Sequence, residues 1–381
     1  MNPRVANIGG SIIREVAAKR RPGSIDLGLG EPSLKPTARY LESATRWAAD
    51  NGLRYTPNAG EPELREAIAA HYAYPGMSRA ANVCVMNGSQ EAVFVSVMTL
   101  LDPARDEMLV VEPAFPAYAK MGRLHGIDVR TVAMDAANDF AFEPARILNA
   151  LTERTRLIVL CSPCNPTARV VDRATVNAIA GELERRSAPV YVLHDEIYRE
   201  QTFTGDAGYF AAVYPRTIVT NSLSKSNALT GLRIGWTIVP DDLSDAVVKA
   251  HAWVTSCAST FAQRVAAEIF SEGALREHVA WYAEHRAKVV TALEESGLRF
   301  IPPQGSFYAC VKLPDGTKSL EAAHSLADRH DVIVIPGIAF GDAFEGWLRL
   351  SWVSPISDVR EGVARIAAFA AARKPSASAP V

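Results

Sequence analysis

Short apolar runs alternate with helical patterns through the middle of the chain, from about residue 51 to residue 270. Several of these runs are almost continuously apolar, which is typical of strands covered on both faces. The predicted strands are 108–111, 129–133, 156–161, 190–194, 217–221 and 234–239. Helical patterns such as 90–101 and 173–186 separate them. This order predicts a mostly parallel sheet wrapped by helices, with a site at the carboxyl ends of the strands.

The pattern changes in the last third of the chain. The predicted elements there are helices at 275–296, 320–329 and 356–372 and strands at 298–301, 306–311, 332–335 and 348–352. This mixture predicts a second, smaller α+β domain. We expect a large domain at residues 40–272 and a small domain made of residues 1–39 and 273–373. The tail at 374–381 is rich in Pro, Ser and Ala, and we expect it to be disordered.

Composition narrows the class of protein. The chain has 381 residues, 48% of them hydrophobic, and a formal net charge of -2. This size suffices for two domains, and the balanced charge argues against nucleic acid or an anionic membrane as a partner. The longest apolar stretches are far shorter than a membrane span, and the amino terminus lacks the apolar core of a signal peptide. We therefore expect a cytoplasmic protein.

The cysteines and histidines do not favour a disulfide scaffold or a metal site. Five cysteines cannot all pair, and they are scattered along the chain. Cys161 and Cys164 have the spacing of a redox or zinc pair, but the chain has no second such pair. We interpret both thiols as packing residues beside a loop. None of the eight histidines falls in a ligand-spaced motif, so no metal is expected.

Lys225 is the residue with the most informative surroundings. It lies in the run 221–236, directly after the apolar stretch 217–220. A single amine between hydroxyls and ahead of Arg233 suits a Schiff-base lysine beside a bound phosphate ester. A surface lysine in a polar loop is the alternative. Four other segments favour the first interpretation, because they supply the remaining parts of such a site.

The segment 192–198 ends a predicted strand with a carboxylate, Asp195, followed by a phenol, Tyr198. A carboxylate about 4 Å from a pyridine nitrogen is worth roughly 4 kcal/mol at an effective dielectric near 20. Asp195 can therefore keep such a ring protonated, and Tyr198 can donate to its phenolate oxygen. The structural alternatives are a capping acid and a packing tyrosine. Glu196 is expected to point away, into solvent or a structural pair.

A phosphate cup is predicted where a helix begins at residues 87–92. Backbone N–H groups at a helix start attract an anion, a glycine permits close approach, and Ser89 adds a hydroxyl. Ser222, Ser224 and Arg233 would complete the cup, because an arginine clamps a phosphate at two points. Ordinary capping by Ser89 is the alternative.

Three further residues follow strand ends or interrupt a strand. Asn165 lies in a turn sequence, and its amide can donate to the same phenolate oxygen and to a substrate carboxylate. Phe115 can stack on a cofactor ring, although a core position is the simpler reading. Arg349 is a lone charge in an apolar strand, and a buried arginine needs an anionic partner. That partner is a substrate α-carboxylate or a structural Asp or Glu.

Together these segments resemble the class I/II aminotransferases of the fold-type I pyridoxal phosphate superfamily, the aspartate aminotransferase superfamily. The resemblance runs from about residue 25 to residue 372. The additional matching motifs are Leu29-Gly30-Glu31-Pro32, Tyr55-Thr56-Pro57 with Gly60 and Glu63-Leu64-Arg65, Gly305-Ser306-Phe307-Tyr308, and Ile335-Pro336-Gly337 with Phe340-Gly341. It implies an α/β fold with a mostly parallel seven-stranded sheet, pyridoxal 5′-phosphate as cofactor, and ping-pong exchange of an amino group between an α-amino acid and a 2-oxo acid.

The resemblance also implies a role for each candidate residue. Lys225 would hold the cofactor as an internal aldimine and then shuttle a proton between the substrate α-carbon and the cofactor. The ring contacts would come from Asp195 at the nitrogen, Tyr198 and Asn165 at the phenolate oxygen, and Phe115 at the face. The phosphate would be bound by Ser89, Gln90, Ser222, Ser224 and Arg233. Arg349, Asn165 and the Gly30 backbone would fix the α-carboxylate. Tyr55 would reach the phosphate of a neighbouring subunit, which implies a homodimer.

The chain departs from the family pattern in three places. Ala168 stands where the family usually has Gly, so we expect the turn after Asn165 to differ slightly. Residues 33–37 replace the usual aromatic and Thr-Pro, and we hypothesise that Lys35 alters side-chain selection, toward a distal carboxylate. Residues 258–261 lack the prolines often found there, which bears on the wall facing a second subunit.

Other functions stay open at this stage. A carbon–sulfur β-lyase or an acyl-transferring synthase would need the same Lys225, Asp195 and Arg233. A ligand-sensing regulator would carry a DNA-binding region ahead of this domain, but fewer than thirty residues precede Leu27. A nicotinamide dehydrogenase would depend on Gly28-Leu29-Gly30, which lacks the third glycine of the dinucleotide fingerprint.

Overall fold

A computed structural model describes residues 1–373, so the proposed tail at 374–381 lies outside the described residues. The strands are β1 (Ile25–Asp26), β2 (Val83–Met86), β3 (Glu107–Glu112), β4 (Asp128–Ala133), β5 (Thr155–Cys161), β6 (Tyr191–Asp195), β7 (Thr217–Ser222), β8 (Gly235–Ile238), β9 (Phe300–Ile301), β10 (Tyr308–Lys312), β11 (Val332–Ile333), β12 (Ile335–Pro336) and β13 (Trp347–Ser351). The helices are α1 (Pro3–Ala6), α2 (Ile12–Ala17), α3 (Ala38–Asn51), α4 (Pro62–Tyr72), α5 (Ser89–Leu100), α6 (Ala117–His125), α7 (Pro144–Asn149), α8 (Arg173–Glu184), α9 (Leu223–Ser226), α10 (Asp241–Thr255), α11 (Thr260–Ser271), α12 (Val279–Glu295), α13 (Ser319–Arg329) and α14 (Ile356–Ala371). Short 3-10 turns complete several connections. Among the described helices, none is both long and apolar enough to span a bilayer.

The largest sheet has seven strands in the order β2-β8-β7-β6-β5-β3-β4. Its neighbours are parallel except β8, which runs antiparallel to β2 and β7. The six predicted strands of this region are all present, and the mostly parallel sheet is confirmed. The seventh strand, β2, was missed, although its four apolar residues form a run like that of the predicted strand 108–111.

The continuous apolar runs are explained by burial on both faces of this sheet. Successive residues of a strand point to opposite faces, so a strand covered on both sides needs apolar residues throughout. Val159 and Leu193 belong to one hydrophobic core, whereas Ile158 and Val192 belong to another on the opposite face. Each core is completed by the helices that connect the strands.

The strand register determines where polar side chains meet. Cys161 at the end of β5 is aligned with Asp195 at the end of β6, and Asp195 is aligned with Thr220 in β7. The turns that follow these strands therefore leave the sheet side by side. Asn165 and Lys225 lie in two of those turns.

A second sheet has four antiparallel strands in the order β12-β13-β10-β9. The predicted strand at 332–335 is wrong as a single element. Its first half, β11, pairs with β1, and its second half, β12, pairs with β13, because the chain changes partner at Val334. The seven-stranded sheet is built from residues 83–238 and the four-stranded sheet from residues 300–351. The division into domains 40–272 and 1–39 with 273–373 stays a prediction.

The amino-terminal segment, residues 1–24, contacts α6 near its beginning and α13 near its end. Arg4 Nη1 donates to the carbonyl oxygen of His125 at the end of α6, at 3.3 Å. Further along, Lys19 pairs with Asp328 at 2.9 Å and Arg21 with Asp331 at 2.6 Å, beside α13. The segment is thus attached at both ends by charged side chains, with α2 between the attachments.

Candidate active site

A cavity of about 700 Å³ opens at the carboxyl ends of β5, β6 and β7. The sequence-predicted residues that line it are Gly30, Ser89, Gln90, Phe115, Asn165, Asp195, Tyr198, Ser224, Lys225, Arg233 and Arg349. These residues are up to 319 positions apart, from Gly30 to Arg349, and the fold brings them to one place. The volume falls in the range of about 300–1,000 Å³ that small-molecule sites occupy.

Lys225 lies in α9, the single helical turn that follows β7. Its Nζ is half-buried and donates to the carbonyl oxygen of Gly30 at 2.5 Å. Burial lowers the pKa of Lys225 to about 8, and the charges of Arg349 and Arg233 act in the same direction. A substantial fraction of this amine is therefore neutral near physiological pH, and the neutral form is the one that acts as a nucleophile or a base.

Asp195 is the last residue of β6 and is buried. Its Oδ2 accepts a hydrogen bond from the Tyr118 hydroxyl at 2.5 Å, and its Oδ1 accepts one from Thr220 Oγ1 at 2.9 Å. Burial raises the pKa of Asp195 to about 6, and these two hydroxyl donors oppose that rise. The carboxylate is thus held in a fixed orientation toward the cavity and is mostly ionised at neutral pH.

Sequence reasoning missed Tyr118 and Thr220. Tyr118 stands three residues after Phe115 in the first turn of α6, and that spacing was a usable signal. Thr220 gave no signal, because only the register of β6 against β7 aligns it with Asp195.

Arg349 projects from β13 and is only 2% exposed. Its Nη1 donates to Asn165 Oδ1 at 3.1 Å, its Nη2 donates to the carbonyl oxygen of Gly28, and its Nε has no partner. The ring of Tyr308 lies 4.4 Å from the guanidinium carbon. Within residues 1–373 no carboxylate pairs with this guanidinium, so the structural Asp or Glu considered above is not found there. A buried cation left in this state favours an anionic ligand.

The other end of the cavity suits a phosphate. Helix α5 begins at Ser89, directly after Gly88, whose φ of 89° favours glycine. A Cβ at Gly88 would come within 2.6 Å of Arg233 Nη2, so only glycine lets this guanidinium approach the helix start. Free N–H groups at the start of α5 and the charge of Arg233 converge on the same space.

The remaining predicted residues are placed as follows. Tyr198 is buried, and its hydroxyl is 2.9 Å from that of Tyr308. Ser222 does not line the cavity, and its Oγ instead accepts from the Ser224 N–H at 3.2 Å, capping α9. Tyr55 is 90% exposed and does not line the cavity. The contacts predicted for these residues with the cofactor stay predictions.

Burial decides the expectation about Glu196, and the structure also locates Lys35, whose effect on selectivity stays a hypothesis. Glu196 is fully buried and pairs with Arg199 at 2.7 Å, so the structural pair is confirmed and the solvent-facing alternative is wrong. Lys35 is exposed and is not among the residues that line the cavity. The two distal cations that do line it, Arg14 and Lys120, were missed.

Comparison with known proteins assigns the chain to a family. The sequence model of the family described as aminotransferase class I and II matches residues 22–366. The chain is 32% identical to the aspartate aminotransferase of Pyrococcus horikoshii, over 95% of each protein. It is 29% identical to the aromatic-amino-acid aminotransferase 2 of Thermococcus litoralis, over 96% of this chain and 97% of that one. The crystal structure of aspartate aminotransferase from Thermotoga maritima superposes with a TM-score of 0.90 at 28% identity, covering 97% of this chain and 99% of the other.

The chain belongs to the class I and II aminotransferases. It has their fold type I architecture, and it is an aminotransferase that depends on pyridoxal phosphate and acts on amino acids and 2-oxo acids. The residues of this aminotransferase fit that cofactor: an amine of lowered pKa at Lys225, a buried carboxylate at Asp195 and an anion cradle at Gly88 and Arg233 surround one cavity.

Proposed function

We propose that this aminotransferase works by a ping-pong mechanism in which Lys225 holds pyridoxal phosphate covalently and afterwards moves the substrate proton. The observation that supports the proposal most is that two cationic side chains, Lys225 and Arg349, line the same cavity. Lys225 is an amine of lowered pKa, and Arg349 is a buried guanidinium without a carboxylate partner in residues 1–373. An α-amino acid presents a carboxylate next to a Cα–H bond, and it would satisfy both groups.

The cofactor, when bound, supplies an electron-withdrawing ring that weakens the bonds at the substrate Cα. Asp195 would keep the ring nitrogen protonated, since the two are attracted by roughly 4 kcal/mol at ~4 Å. The residues proposed for the rest of the cofactor are Tyr198 and Asn165 at the phenolate oxygen, Phe115 at the ring face, and Ser89, Gln90, Ser222, Ser224 and Arg233 at the phosphate. Each of these except Ser222 lines the cavity.

Substrate orientation would come from Arg349. Its free Nε, together with the Asn165 amide and the Gly30 backbone, would hold the α-carboxylate at the inner end of the cavity. Lys225 Nζ already contacts the Gly30 carbonyl, so a carboxylate bound here brings the substrate Cα close to that amine. The neutral Lys225 amine would accept the Cα proton, which its pKa of about 8 permits.

We also propose a homodimer with shared sites. Four large side chains are exposed on two adjoining segments: Leu53 and Tyr55 on one, and Trp253 and Val254 on the other. The segments are linked by a 2.7 Å hydrogen bond from Asn58 Nδ2 to the Ser256 carbonyl oxygen. Monomers rarely expose such a surface, and homodimer interfaces are apolar. Analytical ultracentrifugation should give a particle of twice the chain mass, whereas a monomer would contradict this part of the proposal.

The covalent role of Lys225 is tested by borohydride reduction of the purified enzyme followed by peptide mass mapping. We expect a pyridoxyl adduct at residue 225, no adduct in Lys225→Ala, and a normal adduct in the matched control Lys35→Ala. An adduct on another lysine, or none, would contradict the proposal.

The reaction itself is tested by following cofactor absorbance with a panel of amino acids and then with 2-oxo acids. Ping-pong transfer requires that each half-reaction proceed without the other substrate. The β-lyase alternative would instead release pyruvate and ammonia from a cysteine conjugate.

A further inference from the structure

Five cationic side chains line the cavity, and the proposed function uses three of them. Lys225 holds the cofactor, Arg233 its phosphate and Arg349 the substrate α-carboxylate. The remaining two are Arg14 and Lys120. They lie on α2 and α6, away from the strand ends that carry the rest of the site.

The two helices each present one face to the cavity. On α6 that face contains Ala117, Tyr118, Lys120 and Met121, which are spaced i, i+1, i+3 and i+4. On α2 it contains Ile13, Arg14 and Ala17, which are spaced i, i+1 and i+4. Each of these two helices therefore contributes one cation to the cavity lining, and the other lining residues of both helices are uncharged.

Lys120 also fixes the position of the segment that carries Arg14. Its Nζ donates to the carbonyl oxygens of Gly9 and Gly10, at 2.9 and 2.8 Å. These residues lead directly into α2. An ammonium has three N–H donors, so one remains for a ligand after both carbonyls are bound.

Neither cation has a carboxylate partner within residues 1–373, which sets them apart from their neighbours. Lys19, Arg20 and Arg21 belong to the same amino-terminal segment, and each pairs with an aspartate. By contrast, the Arg14 guanidinium makes no hydrogen bond to the described residues, and Lys120 contacts only carbonyl oxygens.

The acids that line the cavity are already engaged elsewhere. Asp195 is bound by two hydroxyls, and Glu31 accepts a hydrogen bond from Thr230 Oγ1. Neither acid forms an ion pair with Arg14 or Lys120, so among the described residues these two cations keep their charge unpaired.

We propose that Arg14 and Lys120 bind a second carboxylate at the far end of the substrate side chain. The preferred substrates would then be dicarboxylic amino acids and the matching 2-oxo acids. This inference rests on the proposed function, because Arg349 must take the α-carboxylate for the side chain to point toward α2 and α6. Neutral side chains would enter the same space without a charged contact.

The first test compares kcat/KM for L-aspartate, L-glutamate and L-2-aminoadipate with that for L-alanine. In Arg14→Gln and in Lys120→Gln we expect the acid-to-alanine ratio to fall about 10- to 100-fold, because charge-assisted contacts are lost at a partly solvated site. Arg14→Lys should recover part of the ratio. Lys19→Gln is the matched control, since it removes the same charge from the same segment outside the cavity, and it should leave the ratio unchanged.

The second test measures binding without turnover. Calorimetry on the holoenzyme should show that succinate binds more tightly than propionate, and that Arg14→Gln and Lys120→Gln remove most of this difference. A wild-type enzyme with no preference for acids, or variants that keep it in both tests, would overturn the inference. If no amino acid changes the cofactor absorbance, the proposed function is wrong. If alanine reacts but the acid-to-alanine ratio is the same in wild type, Arg14→Gln and Lys120→Gln, only this inference is wrong.

Discussion

The two walls of the cavity differ in what holds their side chains in place. We define the inner wall as Asn165, Asp195, Tyr198, Lys225 and Arg349, and the outer wall as Ile13, Arg14, Ala17, Lys120 and Met121. Inner-wall residues lie on strands or in the turns that follow them, where ladder hydrogen bonds fix the backbone. Outer-wall residues lie on α2 and α6, and Arg14 is exposed. The proposed reaction chemistry thus lies on strands and their turns, and the proposed substrate selection lies on two helices that can vary without disturbing the sheet.

The largest loss of activity is expected for Asp195→Asn, on the inner wall. This change keeps the shape but removes the charge expected to hold the cofactor ring protonated, an effect of roughly 4 kcal/mol. Since each 1.36 kcal/mol is about tenfold in rate, we expect kcat to fall about a thousandfold. Single-turnover absorbance changes with a neutral amino acid would measure it, with the melting temperature of the holoenzyme nearly unchanged.

Glu196→Gln is the matched control, because Glu196 is the adjacent carboxylate and does not line the cavity. It accepts hydrogen bonds from Arg199 at 2.7 Å and from the Tyr74 hydroxyl at 2.8 Å. Removing one partner of a buried ion pair costs about 3 kcal/mol or more. We therefore expect a lower melting temperature with kcat per folded molecule retained. Equal losses of rate in both variants would contradict the separate roles of the two acids.

Arg349→Met should have the next largest effect. Methionine fills much of the same space but cannot bind the α-carboxylate, which we expect to receive charge-assisted hydrogen bonds from the guanidinium. We expect kcat/KM for all amino acids to fall about 100-fold, acidic and neutral alike, because each charge-assisted contact is worth about 1.5–3 kcal/mol. Steady-state kinetics with L-alanine and L-aspartate would measure this. A loss confined to L-aspartate would show that Arg349 recognises the substrate side chain, and the two walls would then not have separate roles.

Tyr118→Phe probes a residue of α6 that reaches the inner wall. The Tyr118 hydroxyl stabilises the ionised form of Asp195, so its removal raises the pKa of Asp195 further above about 6. Affinity for the cofactor depends on the ionised acid and therefore rises with pH through that pKa. A hydrogen bond to a charged group contributes about 1.5 kcal/mol, so the midpoint should move up by about one pH unit.

This shift can be measured by binding pyridoxamine 5′-phosphate, which forms no bond with Lys225, to the apoenzyme between pH 5 and 8. Thr220→Ala removes the other hydroxyl donor and should move the midpoint in the same direction. A midpoint that stays near pH 6 in both variants would show that the two hydroxyls only pack against Asp195.

The same contrast between walls explains what the sequence made predictable. Strands buried on both faces leave continuous apolar runs. Asp195 and Lys225 could be recognised because each is a charged residue at or shortly after the end of such a run. Thr220 left no comparable trace, because its position beside Asp195 depends on the pairing of β6 with β7. The strand β2 did leave an apolar run, but a short one that was overlooked. Arg14 and Lys120 are charged residues in helices of six and nine residues, where a solvated face is the ordinary expectation. Their meaning depends on which helix faces which, and that is a property of the assembled fold.

The smallest effect is expected at Ala168, where the family usually has glycine. Ala168 is buried with φ of 59°, a left-handed conformation that costs a non-glycine residue roughly 1–2 kcal/mol. Replacing it by glycine removes that cost, but it also loosens the unfolded chain by about 0.4–1 kcal/mol and removes a buried methyl worth about 0.8 kcal/mol. These terms nearly cancel, so Ala168→Gly should change the free energy of unfolding by less than about 1 kcal/mol and leave kcat unchanged. Ala168→Val, in contrast, should destabilise the protein clearly, because a β-branched side chain resists this conformation. Urea unfolding of the three proteins would measure the difference, and a strongly stabilised or inactivated glycine variant would show that the inner-wall turn is not held in place by its surrounding strands.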